Sequence, residues 1–317
     1  MKIVFAGTPD FAVPSLERLA ERHEIAGVLS RPARPVGRGR RVEEPAVAAF
    51  ARERGWPVLA PEKPNDPTFL DEFRRLSPDL VAIVSFGKIL SEAFLAIPRL
   101  GCFNVHFSLL PEYRGASPVQ SALADDRTET GVTVFRLVKR MDAGPVLGTR
   151  RVAIEPEETA GVLLARLGRI GADLLLETVG RIEDGTAVEV AQDEAKATYC
   201  RTLAKSDGLV DWSRPASEVV ARFRAYTPWP GAFTWWTGRS MRIVLASVRV
   251  VDGRGEAGAV IGVGEEGAVV AAGQGAVRIE KLQPAGKREM AAGEFVRGYR
   301  LGVGEAFGSG PVAREES

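Results

Sequence analysis

The sequence predicts an α/β protein in which a doubly wound (Rossmann-like), mostly parallel sheet is followed by a smaller C-terminal OB-like β-barrel domain. Three observations predict it. Runs of β-branched and aromatic residues alternate with stretches of helical periodicity through the first half of the chain. One of those runs, Leu80 to Val84, is apolar without interruption, the pattern of a strand buried on both faces of a parallel sheet. In the last third the alternation gives way to short β-like runs separated by glycine-rich turns.

In chain order, Lys2 to Ala6 is a strand closed by Gly7-Thr8-Pro9-Asp10, and Phe11 to Ala20 then spaces its apolar residues as a helix does. Ile25 to Leu29 reads as a strand, Pro45 to Arg54 as a helix, Val58-Leu59 as a short strand and Pro67 to Leu76 as a helix. Leu80 to Val84, Gly101 to His106 and Val132 to Val138 continue the alternation as strands. A long helical pattern from Val162 to Ile182, ending near Gly185, closes the first domain. Glu189 to Ala204 is polar and irregular, which suits a linker over the surface. A helix around Ser217 to Ala225 precedes the β-like runs Met241 to Leu245, Ala259 to Val263, Ala268 to Ala271 and Val277 to Leu282, and Gly308 to Ser317 reads as a loose tail. The expected organisation is a catalytic-type α/β domain over 1–188, a linker over 189–206 and a β-barrel over 207–317.

At 317 residues the chain has room for two such units, and its 45% apolar and 26% charged content is that of an ordinary globular protein. No apolar run is long enough to span a bilayer, and the opening Met1 to Gly7 is too short for a signal-peptide core, so a cytoplasmic monomer without a membrane partner is expected. Cys102 and Cys200 stand far apart, which argues against a disulfide framework or a thiolate zinc site and for two buried thiols; no metal is expected. A net charge of +1 gives no bulk signal for nucleic acid, so any basic surface must be local.

Asn104 and His106 are the first candidates for chemistry. Residues two apart on a strand point to the same face, and this strand should end at the carboxyl edge of the sheet, where ligands of open α/β folds bind. Read alone, a lone histidine such as His106 is more often a hydrogen-bonded core residue than a functional one. The other histidine, His23, sits in Glu21-Arg22-His23-Glu24 and is expected to face solvent. After His106 comes an irregular loop, Ser108 to Pro118, with two prolines, a glycine and an exposed-type Tyr113-Arg114 pair, the architecture of a binding loop over a strand end.

Asn104-Val105-His106, the Ser108 to Pro111 loop, Arg114-Gly115-Ala116 and Met141-Asp142-Ala143-Gly144 together resemble the 10-formyltetrahydrofolate-dependent formyltransferases. Ala6 to Phe11, Asp211-Trp212-Ser213, Pro228-Trp229-Pro230 and Leu282 to Lys287 resemble, within that family, the branch that formylates initiator methionyl-tRNA, so that the likeness covers nearly the whole chain. The resemblance implies Asn104, His106 and Asp142 as the catalytic trio, with Ser108, Leu109, Leu110 and Pro111 bordering the folate co-substrate. The chemistry agrees. An amine attacking a formyl carbon generates a tetrahedral oxyanion, to which the Asn104 amide and a protonated His106 would donate, while Asp142 accepts the amine proton and favours the charged imidazole. Read alone, Asp142 is equally a solvated turn aspartate. The apolar slot for a planar ring is expected at Phe86-Gly87-Lys88-Ile89-Leu90, of which Phe86, Gly87 and Ile89 are the candidate folate contacts; ordinary helix-start packing is the alternative.

Arg31 to Arg41 carries five arginines and no acid among prolines and glycines that forbid a helix. Such a run is either a solvated surface or an RNA contact. The resemblance favours RNA, since the family's tRNA branch carries an insertion here that engages the acceptor end, so Arg38, Arg40 and Arg41 are expected on tRNA, with Lys281, Lys287 and Arg288 of the second domain on its backbone. Trp212, Trp229, Trp235 and Trp236 either stack on bases or fill the core. Ala33, Val36 and Phe107 depart from the family's pattern, the last being expected to reshape a pocket wall. A formyltransferase for a small amine would share the trio without needing the arginine run or the second domain. A catalytically dead RNA-binding protein would not need to keep the trio, and no G-x-G-x-x-G follows the first strand to suggest a dehydrogenase.

Overall fold

The computed structural model describes residues 1–36 and 41–310, with the side chains of 35, 36 and 41 excepted. The chain forms two compact units. The first comprises Met1–Pro118, Glu129–Ile154 and Leu163–Arg201; the second comprises Val119–Thr128, Glu155–Val162 and Thr202–Ser317.

The first unit is built on a seven-stranded sheet in the spatial order Val146–Ala153, Glu129–Arg136, Gly101–His106, Leu80–Val84, Lys2–Gly7, Glu24–Leu29, Val58–Leu59. From Gly101–His106 to Val58–Leu59 every neighbouring pair is parallel. Leu80–Val84 lies near the middle with all five side chains buried, as its unbroken apolar run requires. The order reverses at Lys2–Gly7: the next two strands of this sheet, Glu24–Leu29 and Val58–Leu59, lie on one side of it, while Leu80–Val84 and the sheet strands after it lie on the other. Crevices at such a reversal, at the carboxyl ends of the strands, are the binding edge of doubly wound sheets.

Two features depart from the sequence expectation. Glu129–Arg136 is antiparallel to Gly101–His106 rather than a further parallel strand, and Val146–Ala153 is an additional edge strand antiparallel to it. That edge strand escapes sequence reading because it is half polar: Arg150 and Arg151 point to solvent and pair with Glu177 and Glu129. Charged side chains of this kind protect an exposed sheet edge from pairing with another chain. The other departure is His23, whose side chain is only 4% exposed between polar neighbours, its ring facing Glu183 at 3.8 Å. Burial lowers its pKa below the ordinary histidine value.

The second unit is an antiparallel half-barrel, Val260–Gly264, Gly267–Ala271, Ala276–Pro284, Met241–Val251, Phe233–Trp236, Phe307–Gly308, with Met290–Ala291 also paired to Ala276–Pro284. Its two ends meet through main-chain bonds: Phe307 N–H donates to Gly258 O at 2.8 Å and Val260 N–H to Glu305 O at 2.8 Å. Trp236, with no exposed surface, fills the core and donates its indole N–H to Glu305 Oε2 at 2.8 Å, while the buried Trp212 donates to Thr234 Oγ1 at 3.0 Å. These two tryptophans are core residues with satisfied polar tips. Trp235 is half-buried and Trp229 is 51% exposed. The helix Ala292–Tyr299 carries two glycines that weaken its sequence signal; Phe295 anchors it, packing edge-on to Trp236 at 5.6 Å.

Candidate active site at the carboxyl edge of the sheet

Asn104 and His106 occupy the end of the strand Gly101–His106, opposite Phe135 and Thr133 of its antiparallel neighbour. Asn104 is half-buried, and its side-chain amide makes no hydrogen bond among the described residues. His106 is 5% exposed. The chain then arcs over the strand end and returns, so that the Tyr113 carbonyl lies 2.9 Å from His106 Nε2. A carbonyl can only accept, so Nε2 carries the hydrogen, and the neutral imidazole presents the lone pair of Nδ1. Asp142 Oδ2 faces that nitrogen at 3.8 Å, too far for a direct hydrogen bond.

The protonation state differs from the one expected. Burial pushes the His106 pKa down, outweighing the pull of Asp142 and of the Tyr113 carbonyl in the other direction. The resting ring is therefore neutral at pH 7 and offers a base at Nδ1 instead of a second donor.

The loop is held by its own polar groups. Ser108, fully buried, donates from Oγ to Glu112 O at 2.6 Å, and its carbonyl accepts from Thr133 Oγ1 at 2.7 Å. The same Thr133 oxygen accepts from Leu110 N–H at 3.2 Å, and Leu109, Leu110 and Pro111 are left half-buried. Phe107 is buried, edge-on to Phe11 at 5.5 Å.

Asp142 sits in the turn between Glu129–Arg136 and Val146–Ala153 with φ +47°, in the left-handed region. Its Oδ2 accepts from Gly115 N–H at 2.7 Å. The glycine two residues on is sterically required, because a Cβ at Gly144 would lie 1.8 Å from the Arg136 carbonyl oxygen.

The Tyr113-Arg114 pair is buried, contrary to its exposed-type reading. Arg114 has no exposed surface, its guanidinium gripping the Glu194 carboxylate at 2.9 and 3.1 Å and Gln192 Oε1 at 2.7 and 3.1 Å. These partners come from the segment expected to be a surface linker. That segment lies over the surface as expected and also joins the fold, Tyr199–Cys200 pairing in parallel with Arg114–Gly115 and Thr198 Oγ1 accepting from Tyr113 N–H at 2.8 Å. Gly115, at φ +122°, permits that approach, since a Cβ there would lie 2.1 Å from the Cys200 carbonyl oxygen. Gln192 also donates from Nε2 to the main-chain oxygens of Asp142 at 2.8 Å and Gly144 at 2.7 Å. Nothing in a polar, aperiodic stretch marks such residues in the sequence. Cys200 is half-buried within this strap, and burial pushes the thiol of Cys102 up to about 12.

The folate candidates separate. Phe86 belongs to the core, packed with Val4, Ala6, Leu29, Val81 and Ile83, and only its carbonyl faces the edge, accepting from Thr8 Oγ1 at 3.1 Å. It is not the wall of an open slot. Gly87 is exposed at φ +76°, and Ile89 is 84% exposed, its carbonyl accepting from Asn65 Nδ2 at 2.9 Å. Both follow the strand adjacent to the one that carries Asn104 and His106. A cavity of about 480 Å³, lined by Arg74, Ser77, Asp79 and Arg99, lies at the opposite, amino edge and is remote from this chemistry.

Of the residues expected to meet RNA, Arg38 and Arg40 lie outside the described residues, as does the side chain of Arg41. Lys281, Lys287 and Arg288 are exposed on the second unit and make no ion pair among the described residues. No helix among the described residues is long and apolar enough to cross a membrane.

Residues 1–179 match the model of the formyl transferase family and residues 202–300 that of the formyl transferase C-terminal domain. The methionyl-tRNA formyltransferase of Geotalea daltonii is 42% identical over 97% of this chain and 98% of its own length. That of Roseiflexus castenholzii is 43% identical over 97% of this chain and 99% of its own length. Among solved structures, HypX from Aquifex aeolicus in complex with tetrahydrofolic acid has the same fold at 17% identity, with a TM-score of 0.64 over 100% of this chain and 50% of that one. With both halves of the chain matched in order and close relatives spanning its length, the chain belongs to the methionyl-tRNA formyltransferases.

Proposed function

We propose that the chain transfers the formyl group of 10-formyltetrahydrofolate to the amino group of initiator methionyl-tRNA in the cytoplasm. In this reading residues 1–188 are the catalytic domain, 189–206 the connection and 207–317 a β-barrel that holds tRNA. One observation carries it: the Asn104 amide, which makes no hydrogen bond among the described residues, and the buried His106 ring share a strand end, with the Asp142 carboxylate 3.8 Å from His106 Nδ1. The names of the close relatives support the amine acceptor, and the tetrahydrofolic acid complex of HypX supports the donor. Half-buried Leu109, Leu110 and Pro111, the Ser108 main chain and the exposed Gly87 and Ile89 are the mixture of apolar surface and backbone polar groups that a flat heterocycle with a polar rim needs.

When bound, the folate supplies an electrophilic formyl carbon and a nitrogen leaving group. Asn104 donates to the formyl oxygen as that atom gains charge. His106 Nδ1 takes the proton that the attacking amine must lose, while Nε2–H stays on the Tyr113 carbonyl and holds the ring in register. The Asp142 carboxylate stabilises the imidazolium for as long as it lasts. His106 then hands the proton to the departing nitrogen, so one C–N bond has formed, one has broken and no net proton is gained. The test is a comparison of acceptors with 10-formyltetrahydrofolate: methionyl-tRNA should be formylated and free methionine should not. Formylation only of free methionine or of an amino sugar nucleotide would place the activity on small amines instead.

The arginine run supplies the second prediction. Replacing Arg38, Arg40 and Arg41 together by alanine should raise KM for methionyl-tRNA by about 10-fold or more and flatten its dependence on salt, because phosphate contacts release counterions. Lys281→Ala, Lys287→Ala and Arg288→Ala should act in the same sense with smaller effect. Unaltered tRNA kinetics in the triple variant would remove the run from recognition.

A further inference from the structure

We infer that Gln192, clamped by the buried Arg114, is a positioning residue that holds the Asp142 carboxylate against His106, so that the segment joining the two domains is part of the catalytic apparatus. The inference rests on the roles proposed above for His106 and Asp142.

Asp142 sits in the left-handed region at φ +47°, which aspartate enters more readily than most non-glycine residues, and its surroundings hold it there. Three contacts do so. Gly115 N–H fixes one carboxylate oxygen at 2.7 Å, and the two hydrogens of the Gln192 amide bridge the carbonyls of Asp142 and Gly144 at 2.8 and 2.7 Å, tying both sides of the turn to one group. The amide can do this only with its nitrogen turned toward the turn. Arg114 sets that orientation: a guanidinium has no acceptor, so the atom it meets at 2.7 and 3.1 Å must be the amide oxygen. Glu194 in turn neutralises Arg114 through two bonds. The chain of contacts begins at Gly115, adjacent to Arg114, and returns to the carboxylate that Gly115 holds, so the loop after His106, the turn of Asp142 and the 192–194 segment form one closed circuit. Gln192 touches neither the imidazole nor a reacting atom; its action passes through Asp142.

Two variants separate donor from acceptor. Gln192→Glu keeps an oxygen for Arg114 but has no hydrogens for the two carbonyls, and Gln192→Met keeps the volume with neither. Both should lower kcat by roughly 10- to 50-fold with KM for each substrate changed by less than about 3-fold, the pattern of a displaced catalytic group rather than lost binding. In Gln192→Met the acid limb of the rate profile should move to lower pH, because Asp142, which supports charge on His106, is no longer held beside it. Added to Asp142→Asn, neither substitution should cost anything further. Full kcat in Gln192→Glu, an unmoved acid limb, or an undiminished loss in the Asp142→Asn background would overturn the inference, the last by marking a general structural defect. Near-normal turnover in Asp142→Asn itself would overturn the underlying site assignment instead. A slow Asp142→Asn beside a normal Gln192→Met would defeat only this inference.

Discussion

His106→Ala should lower kcat by about 10²-fold or more while leaving the fold and both substrate affinities nearly intact, the scale for removing a positioned acid–base group. The size of the effect follows from how completely the ring is committed. One nitrogen is tied to the Tyr113 carbonyl at 2.9 Å, burial keeps the ring neutral, and the other nitrogen is left facing a carboxylate with room for a transferable hydrogen between them. The same geometry sets the pH dependence. The working form is the neutral ring, whose pKa lies below the ordinary histidine value of about 6.5, so kcat/KM should be flat through neutrality and fall on acidification with its midpoint below 6.5. Stability has the same sign. Between the depressed folded pKa and the unfolded one the unfolded chain binds more protons, so His106 and the similarly buried His23 contribute stability that is full above about 6.5 and lost as pH falls through the window. Single-turnover formylation across pH, with a melting curve at each point, reads both. An alanine variant of near-normal turnover, or an acid limb centred above 7, would eliminate His106 as the base.

What the sequence made legible follows from which interactions leave a periodic trace. The central strand Leu80–Val84 and the pairing of Asn104 with His106 could be read because strand geometry repeats every two residues. The Asp142 turn could be read because Gly144 is sterically obligatory there. The contacts that complete the site have no period. Gln192 and Glu194 reach Arg114 from a polar stretch whose hydrogen-bond partners lie about 80 residues away in the chain, and no local pattern distinguishes such residues from solvated ones. Phe86 looked like a slot wall for a related reason: position after a strand places a residue at the carboxyl edge, but only packing decides whether its ring turns outward or, as here, into the core. The charge on His106 could not be read because burial, which lowers its pKa, is a property of the folded loop and not of the residues beside it in the chain. The tryptophans divide on the same principle, Trp212 and Trp236 being placed in the core by neighbours distant in sequence.

The second large effect belongs to Asn104. Asn104→Ala should reduce kcat by roughly 10²- to 10³-fold, the range for deleting one donor aimed at a developing oxyanion, with KM for folate and for methionyl-tRNA changed little. An effect of this size requires the amide to be idle at rest. Its side chain is bound to no other group among the described residues, although it lies half-buried beside a strand end where most polar atoms are engaged. A donor that already served the fold would have to break a bond before it could meet the substrate, and part of its contribution would be cancelled. An idle one gives its full strength only when charge appears on the formyl oxygen, which is why the loss should fall on kcat. Asn104→Asp refines the test. It preserves size and strand position but turns a donor into an acceptor that repels the oxyanion, so it should be at least as slow as alanine. It should also raise the pKa of the neighbouring imidazole and carry the acid limb upward, whereas alanine should leave that limb in place. If Asn104→Asp proved faster than Asn104→Ala, or if either acted mainly on KM, the amide would be a substrate-binding group and the stabilisation of the oxyanion would have to come from main-chain donors of the Ser108–Pro111 loop.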